Sequence, residues 1–345
     1  MELPKFNPLT PLLGLLMLFG SCTIEKTPDV KVEEGYVLGS TYQIRYQAIK
    51  DSLLIKQEIQ QVFEKINSSL STYLPTSDLS AINSGDSSRV INSHFKEVYT
   101  TAKEVWRQTE GYFDPTIGGL IDAWGFGSEP SLRGMGNNEV DSLMEYIGFG
   151  KVYLSHDNRI IRENLKTKLN FNALLKGYTV DLIAQVLEQN GVEDYSIAIG
   201  GELMVKGDKD FANKTKNWVV AIESPIQTKK QDVFIAKVKL KNKAMATSGN
   251  YRKFRVDPIT KEHYVHIVDP HTGYPKKSNV LSVAVIADKC IIADAYATAL
   301  MVMPLEKTKA FLKENSEIEA YIIVADKDGD LSEYKTKGFQ ELLQQ

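Results

Sequence analysis

Apolar positions recur along the chain with two different periods, and the period changes from segment to segment. From Tyr36 to Tyr46 apolar and polar residues alternate, the pattern of a strand with one buried face. Leu53 to Leu70 instead puts Ile55, Ile59, Val62, Phe63 and Ile66 on one stripe of a helix. A second helix is expected over Glu97 to Gln108, and Lys151 to Leu154 and Arg159 to Arg162 flank His156-Asp157-Asn158, which predicts a hairpin. Leu174 to Gln189 reads as a third helix, with Val180, Ile183, Val186 and Leu187 on one face and Asn190-Gly191 ending it. Strand-like segments follow at Tyr195 to Ile199, Trp218 to Ile222, Val233 to Leu240 and Leu281 to Ile286. A helix over Ile291 to Met303 and a strand at Ala320 to Ala325 complete the pattern. Helices and strands mix without a regular β-α-β beat, no repeat recurs at a fixed period, and no linker divides the chain, so one α+β domain is expected.

The N-terminus breaks this pattern. Lys5 precedes an apolar run from Leu12 to Phe19, interrupted only by Gly14, and Gly20-Ser21-Cys22 follows. The run is shorter than the roughly 20 residues needed to cross a bilayer core of about 30 Å. Residues 1–21 therefore read as a signal peptide, and the small residues before Cys22 resemble a lipobox, with Phe19 where Leu is usual. Residues 22–32, polar with one Pro, suit a lipidated tether; ten extended residues reach roughly 30 Å. Residues 33–345 form the expected domain, lipid-anchored in the cell envelope and facing the periplasm. The only other cysteine, Cys290, lies in the apolar stretch Val283 to Ile292 and is expected to be a buried, inert thiol.

Composition narrows the partners. The 345 residues are 43% hydrophobic and 25% charged, which suits a globular domain, and a net charge of -3 with scattered Lys and Arg offers no basic field for nucleic acid. The chemistry-bearing patterns are individually sparse. Asp294 and Thr298 stand four apart on a predicted helix and so share a face. One carboxylate and one hydroxyl suit Mg²⁺, which fills its octahedron with water and substrate phosphates; a helix cap or a core hydrogen bond needs the same two residues. His266, at a strand end before Asp269-Pro270, has the pKa range of a proton acceptor and equally the position of a structural histidine. His263, His266 and His271 match no common zinc spacing. Gly125-Phe126-Gly127 and Gly134-Met135-Gly136 lack the third glycine of a dinucleotide fingerprint, and Asp326 to Asp330 departs from a calcium loop and reads as a hairpin turn.

Taken in order, the blocks resemble one family, the ApbE family of FAD:protein FMN transferases. They are Leu38-Gly39-Ser40-Thr41-Tyr42, Ser71-Thr72-Tyr73-Leu74-Pro75, Gly111-Tyr112-Phe113-Asp114-Pro115-Thr116 and Trp124-Gly125-Phe126-Gly127. Lys176-Gly177-Tyr178 with Asp181, Gly200-Gly201-Glu202, Ser248-Gly249-Asn250-Tyr251, His266 to Gly273 and Asp294 to Thr298 continue them.

The resemblance implies that Leu38, Tyr73, Tyr112, Phe113, Asp114, Asn170, Lys176 and Ile267 line an FAD pocket. It implies that Asp294, Thr298 and the Ala173 backbone carbonyl hold Mg²⁺, and that His266 serves with Asp294 in catalysis. Leu38 stands where Met is usual, Asn170 where Asp is common and Asn250 where Asp is frequent; Leu for Met nearly conserves volume, whereas Asn for Asp loses charge assistance. The implied reaction is transfer of FMN from FAD to a Ser or Thr hydroxyl of an acceptor protein, releasing AMP. Hydrolysis of FAD at the same site, or flavin binding without catalysis, are the other readings. The acceptor implied is a membrane electron-transfer subunit, and this chain carries no acceptor-like Asp-rich segment of its own.

Overall fold

The computed structural model describes residues 29–49, 51–128, 135–211, 216–225, 234–250, 254–256, 263–276, 278–328 and 330–344. The N-terminal apolar run, Cys22, most of the expected tether, Gly134, Val233, Tyr251 and Gly329 lie outside the described residues.

The chain opens with β1 (Val30–Val37), β2 (Ser40–Gln47), α1 (Ser52–Leu70), α2 (Asp78–Asn83), α3 (Ser93–Gln108), α4 (Gly118–Ala123) and α5 (Asn137–Met144). Then come β3 (Val152–Leu154), β4 (Ile160–Arg162), α6 (Asn172–Gln189), β5 (Tyr195–Ile199), β6 (Glu202–Lys206), β7 (Trp218–Glu223), β8 (Phe234–Leu240) and β9 (Lys243–Gly249). It ends with β10 (Phe254–Val256), β11 (His263–Val265), β12 (Val280–Ala287), α7 (Cys290–Val302), α8 (Leu305–Glu314), β13 (Glu319–Ala325), β14 (Leu331–Lys335) and α9 (Lys337–Leu342). The α+β expectation holds.

Eight strands form one sheet in the order β1-β2-β5-β6-β9-β12-β13-β14, with every neighbouring pair antiparallel. Side chains of alternate positions leave its two faces for two different cores. Val283 and Val285 of β12 and Ile322 and Val324 of β13 join the main core with α1, α3, α6 and α7. Ala284, Ile286, Tyr321 and Ile323 point the other way, against Trp218, Ile222, Val238 and Leu240 of the β7–β8 ribbon and Phe339 of α9. Burial on both faces is why β12 reads as an apolar run from Val283 to Ala287 rather than an alternation. In α1 the expected stripe of Ile55, Ile59, Val62, Phe63 and Ile66 is buried.

Three boundaries differ from expectation by more than two residues, the first being α3, which begins at Ser93 rather than Glu97 because the Asn92 side chain caps it by accepting from the Phe95 amide. The alternation from Tyr36 to Tyr46 belongs to two strands, not one: Val37 pairs with Ser40, and Leu38-Gly39 make a two-residue turn with φ of +49° and +72°. Two successive left-handed residues reverse the chain with the hand of twist a hairpin needs, and the alternation runs through such a turn without a visible break. Strand β1 also begins at Val30, three residues inside the expected tether, because its backbone is paired with β2 from Val30 opposite Gln47 onward. The Asp326 to Asp330 segment closes the β13–β14 hairpin, with the Asp326 carboxylate accepting from the Asp328 and Asp330 amides at 2.9 Å.

Candidate active site

Helix α7 is apolar nearly all round and runs through the main core, so a charged side chain on it is costly unless paired. Asp294 is that side chain, 2% exposed. Its Oδ2 accepts a hydrogen bond from the Gly177 amide at 2.9 Å, and its Oδ1 lies 3.9 Å from Lys176 Nζ. Lys176 Nζ is closer, at 3.0 Å, to Oε2 of the buried Glu202 on β6. Burial pushes the Asp294 carboxyl up to about 8, against the pull of the Lys176 ammonium. Burial also works against the Lys176 charge, but Asp294 and Glu202 more than offset it and hold the ammonium protonated. Two carboxyl groups thus face one ammonium.

The oxygens implied as metal ligands come from the two helices of this cluster, α6 and α7. Thr298 follows Asp294 by one helical turn on the same face, is half-buried, and has its Oγ1 3.4 Å from Ser248 Oγ on β9. Ala173 lies in the first turn of α6, where the helical ladder directs its carbonyl toward the amide of Gly177, the same amide that reaches Asp294. A carboxylate, a hydroxyl and a backbone carbonyl form a donor set that fits a hard divalent cation.

The residues implied for FAD stand in different surroundings. The Leu38-Gly39 turn abuts it: the Gly200 amide donates to the Thr41 carbonyl at 2.9 Å, and a Cβ on Gly200 would stand 2.6 Å from Ser40 Oγ and 3.5 Å from Glu202 Oε2. Leu38, Tyr112 and Ala173 pack against the core that holds Phe113 and Ile267. The Asn170 amide donates to the Pro115 carbonyl at 2.7 Å and its Oδ1 accepts from Asn172 at 2.9 Å, so this residue joins the Tyr112 to Thr116 turn to the start of α6. Asn makes that local bond as well as Asp would. The Asp114 side chain is buried and already accepts from Trp106 Nε1, the Thr116 amide and hydroxyl, and the Phe149 amide. Burial pushes its carboxyl up against those bonds, and the carboxylate is committed to shaping its own turn. Tyr73 is 63% exposed, on a turn whose Tyr73 and Leu74 amides donate to Ser71 Oγ.

His266 follows β11 and sits with its ring 6.5 Å from that of Phe126. The loop it begins is pinned back on the α3–α4 region. Trp124 Nε1 donates to the Gly273 carbonyl at 2.9 Å, and the His271 ring lies 4.3 Å from that of Tyr112. Lys276 Nζ meets Asp269 Oδ2 at 3.0 Å. His266 thus lies on a loop beside Phe126, and Asp294 lies in the core. Cys290 is a buried free thiol, pushed well above its ordinary pKa by burial, which fits the inert role expected of it.

Two residues were present in the sequence patterns without a role. Glu202 is one; Asp181 is the other. Asp181 on α6 accepts from the Cys290 and Ile291 amides at 2.8 and 2.9 Å, satisfying the first turn of α7 from another helix. No local capping pattern precedes α7: Lys289 stands at its N-cap with no side-chain hydrogen bond. Asp181→Ala leaves two buried amides without acceptors and is expected to destabilise the fold by about 2 kcal/mol, with Asp181→Asn milder. Equal thermal unfolding midpoints for wild type and Asp181→Ala would refute this capping role.

Comparisons with known proteins bear on the family and the fold. A model of the ApbE family matches residues 38–322. A Vibrio cholerae protein named FAD:protein FMN transferase is 33% identical over 347 aligned residues, which cover 98% of this chain and 99% of the relative. An Escherichia coli protein of the same name is 28% identical, with 92% of each chain covered. Among solved structures, the flavin transferase ApbE from Vibrio cholerae superposes with a TM-score of 0.81 at 31% identity, over 92% of this chain and 100% of that one. The apo form of the Pseudomonas stutzeri flavinyl transferase ApbE gives 0.80 at 28% identity, over 91% and 97%. With sequence and fold matched along nearly the whole domain, the chain belongs to the ApbE family.

Proposed function

We propose that this protein cleaves FAD and transfers the FMN half to a Ser or Thr hydroxyl of an acceptor protein, with AMP as the second product and Mg²⁺ held by Asp294, Thr298 and the Ala173 carbonyl. The observation that carries this reading is the buried cluster of Asp294, Lys176 and Glu202 beside the Leu38 turn. Bound there, Mg²⁺ would neutralise charge on the pyrophosphate oxygens. Lys176, fixed by Glu202, presents an ammonium to the same phosphates. The Tyr112 face, braced by His271, and the Leu38 turn orient the rest of the dinucleotide. His266 takes the proton of the acceptor hydroxyl. A bond forms between the hydroxyl oxygen and the FMN-side phosphorus, the bond from that phosphorus to the bridging oxygen breaks, and the bridging oxygen leaves with AMP.

The same reading places the protein in the cell envelope, lipid-anchored at Cys22 and facing the periplasm, with a membrane electron-transfer subunit as acceptor. Its support is Gly20-Ser21-Cys22 behind the Leu12 to Phe19 run. Two experiments test the two parts. Envelope membranes are incubated with the full chain, FAD and Mg²⁺, and proteins are searched by mass spectrometry for an FMN adduct. An adduct on a membrane protein is expected; free FMN and AMP with no adduct on any protein would overturn the transfer. Cys22→Ser is expected to move the chain to the soluble fraction, and its retention on membranes would overturn the anchor.

A further inference from the structure

Lys176 stands between two buried carboxylates, and they compete for it. Its Nζ is 3.0 Å from Glu202 Oε2 and 3.9 Å from Asp294 Oδ1. Only the first is a direct ion pair. An ammonium drawn fully onto Asp294 would neutralise the carboxylate that a cation needs and would occupy the space in front of it. At close range within a poorly solvated site, opposite charges pair strongly unless another partner holds one of them.

Glu202 is placed to be that partner. It begins β6 directly after the Gly200-Gly201 turn, and its backbone is locked in register with Ile199 on β5 and Ala246 on β9. Gly200 has φ of +63°, and a Cβ there would meet Ser40 Oγ at 2.6 Å, so the turn that aims Glu202 at Lys176 favours glycine. Asp294 is restrained separately, by the Gly177 amide on its Oδ2. Backbone elements therefore fix both carboxylates, while the long Lys176 side chain is free to choose between them.

We propose that Glu202 is a positioning residue that holds the Lys176 ammonium off Asp294 and so keeps the Asp294 carboxylate available to a divalent cation. This rests on the metal assignment made above. The test titrates Mn²⁺ alone, whose oxygen-ligand preference matches that of Mg²⁺, into the full chain, with free Mn²⁺ followed by electron paramagnetic resonance. The wild type is expected to bind at one site, and Glu202→Gln about 10-fold more weakly, the scale of losing an outer-shell partner of a metal ligand. The double variant Glu202→Gln with Lys176→Met, which has no ammonium to misplace, is expected to regain wild-type affinity. A crystal structure of metal-free Glu202→Gln should show Lys176 Nζ in direct contact with Asp294. Unchanged Mn²⁺ affinity in Glu202→Gln, failure of the double variant to recover, or an unmoved Lys176 would each overturn the proposal while leaving the metal site standing. A wild type that binds no Mn²⁺ would instead overturn the metal assignment, and this inference with it.

Discussion

Asp294→Ala is expected to release AMP from FAD at less than about one hundredth of the wild-type rate, with the fold retained. Changes to outer-shell partners of metal ligands already cost roughly 10–100-fold, and loss of the only side-chain carboxylate of the assigned donor set should exceed them. The fold survives for a specific reason. Lys176 keeps its 3.0 Å partner Glu202, the Gly177 amide keeps its place in the helical ladder, and the carboxyl removed is one whose charged form burial disfavours. Asp294→Asn preserves shape and the acceptor for Gly177 but not the charge, and it should lose AMP release nearly as far. Thermal unfolding midpoints no lower than wild type, measured on the same preparations, separate this loss from misfolding. AMP release undiminished in Asp294→Ala would remove Asp294 from the metal site.

The second large effect is steric. In an isolated helix Gly→Ala is favourable by about 1 kcal/mol, yet at position 177 the expected sign is the opposite. A Cβ on Gly177 would stand 2.4 Å from the Cys290 carbonyl oxygen, 2.7 Å from its carbon and 2.8 Å from Asp294 Cβ. These are atoms of the facing helix and its backbone, not the end of a flexible side chain, so α6 and α7 must move apart. Overpacking of this kind costs about 1–3 kcal/mol. The same displacement breaks the hydrogen bond from the Gly177 amide to Asp294, so AMP release should fall together with stability. Gly119→Ala in α4 is the matched control: its nearest neighbour would be Leu143 Cδ2 at 3.8 Å, and it should be neutral or stabilising. If Gly177→Ala unfolds at or above the wild-type temperature, the close approach of α6 to α7 does not restrict that position.

These two residues also show what a linear reading can and cannot reach. Asp294 and Thr298 were legible together because four residues is one helical turn, and a local period encodes a shared face. Gly177 was legible only as a member of a family block. Its physical reason, a facing carbonyl more than a hundred residues away in sequence, is encoded in no local period. The Leu38-Gly39 turn was hidden for a different reason: a two-residue hairpin preserves the alternation on either side of it, so one strand and two strands leave the same trace.

By itself the sequence determined the α+β class, the buried stripe of α1, the extents of α6, α7 and β5 to within two residues, and the family, because each rests on short-range periodicity or on blocks of fixed residue type. Tertiary structure alone decided which partner each charged group of the site receives. Lys176 meets Glu202 and Asp294 because β6 and α7 are brought to the start of α6 by sheet order and helix packing, and Asp181 caps α7 for the same reason. Pairings of buried charges depend on distances across the core, and the chain brings those groups within reach only once it has folded.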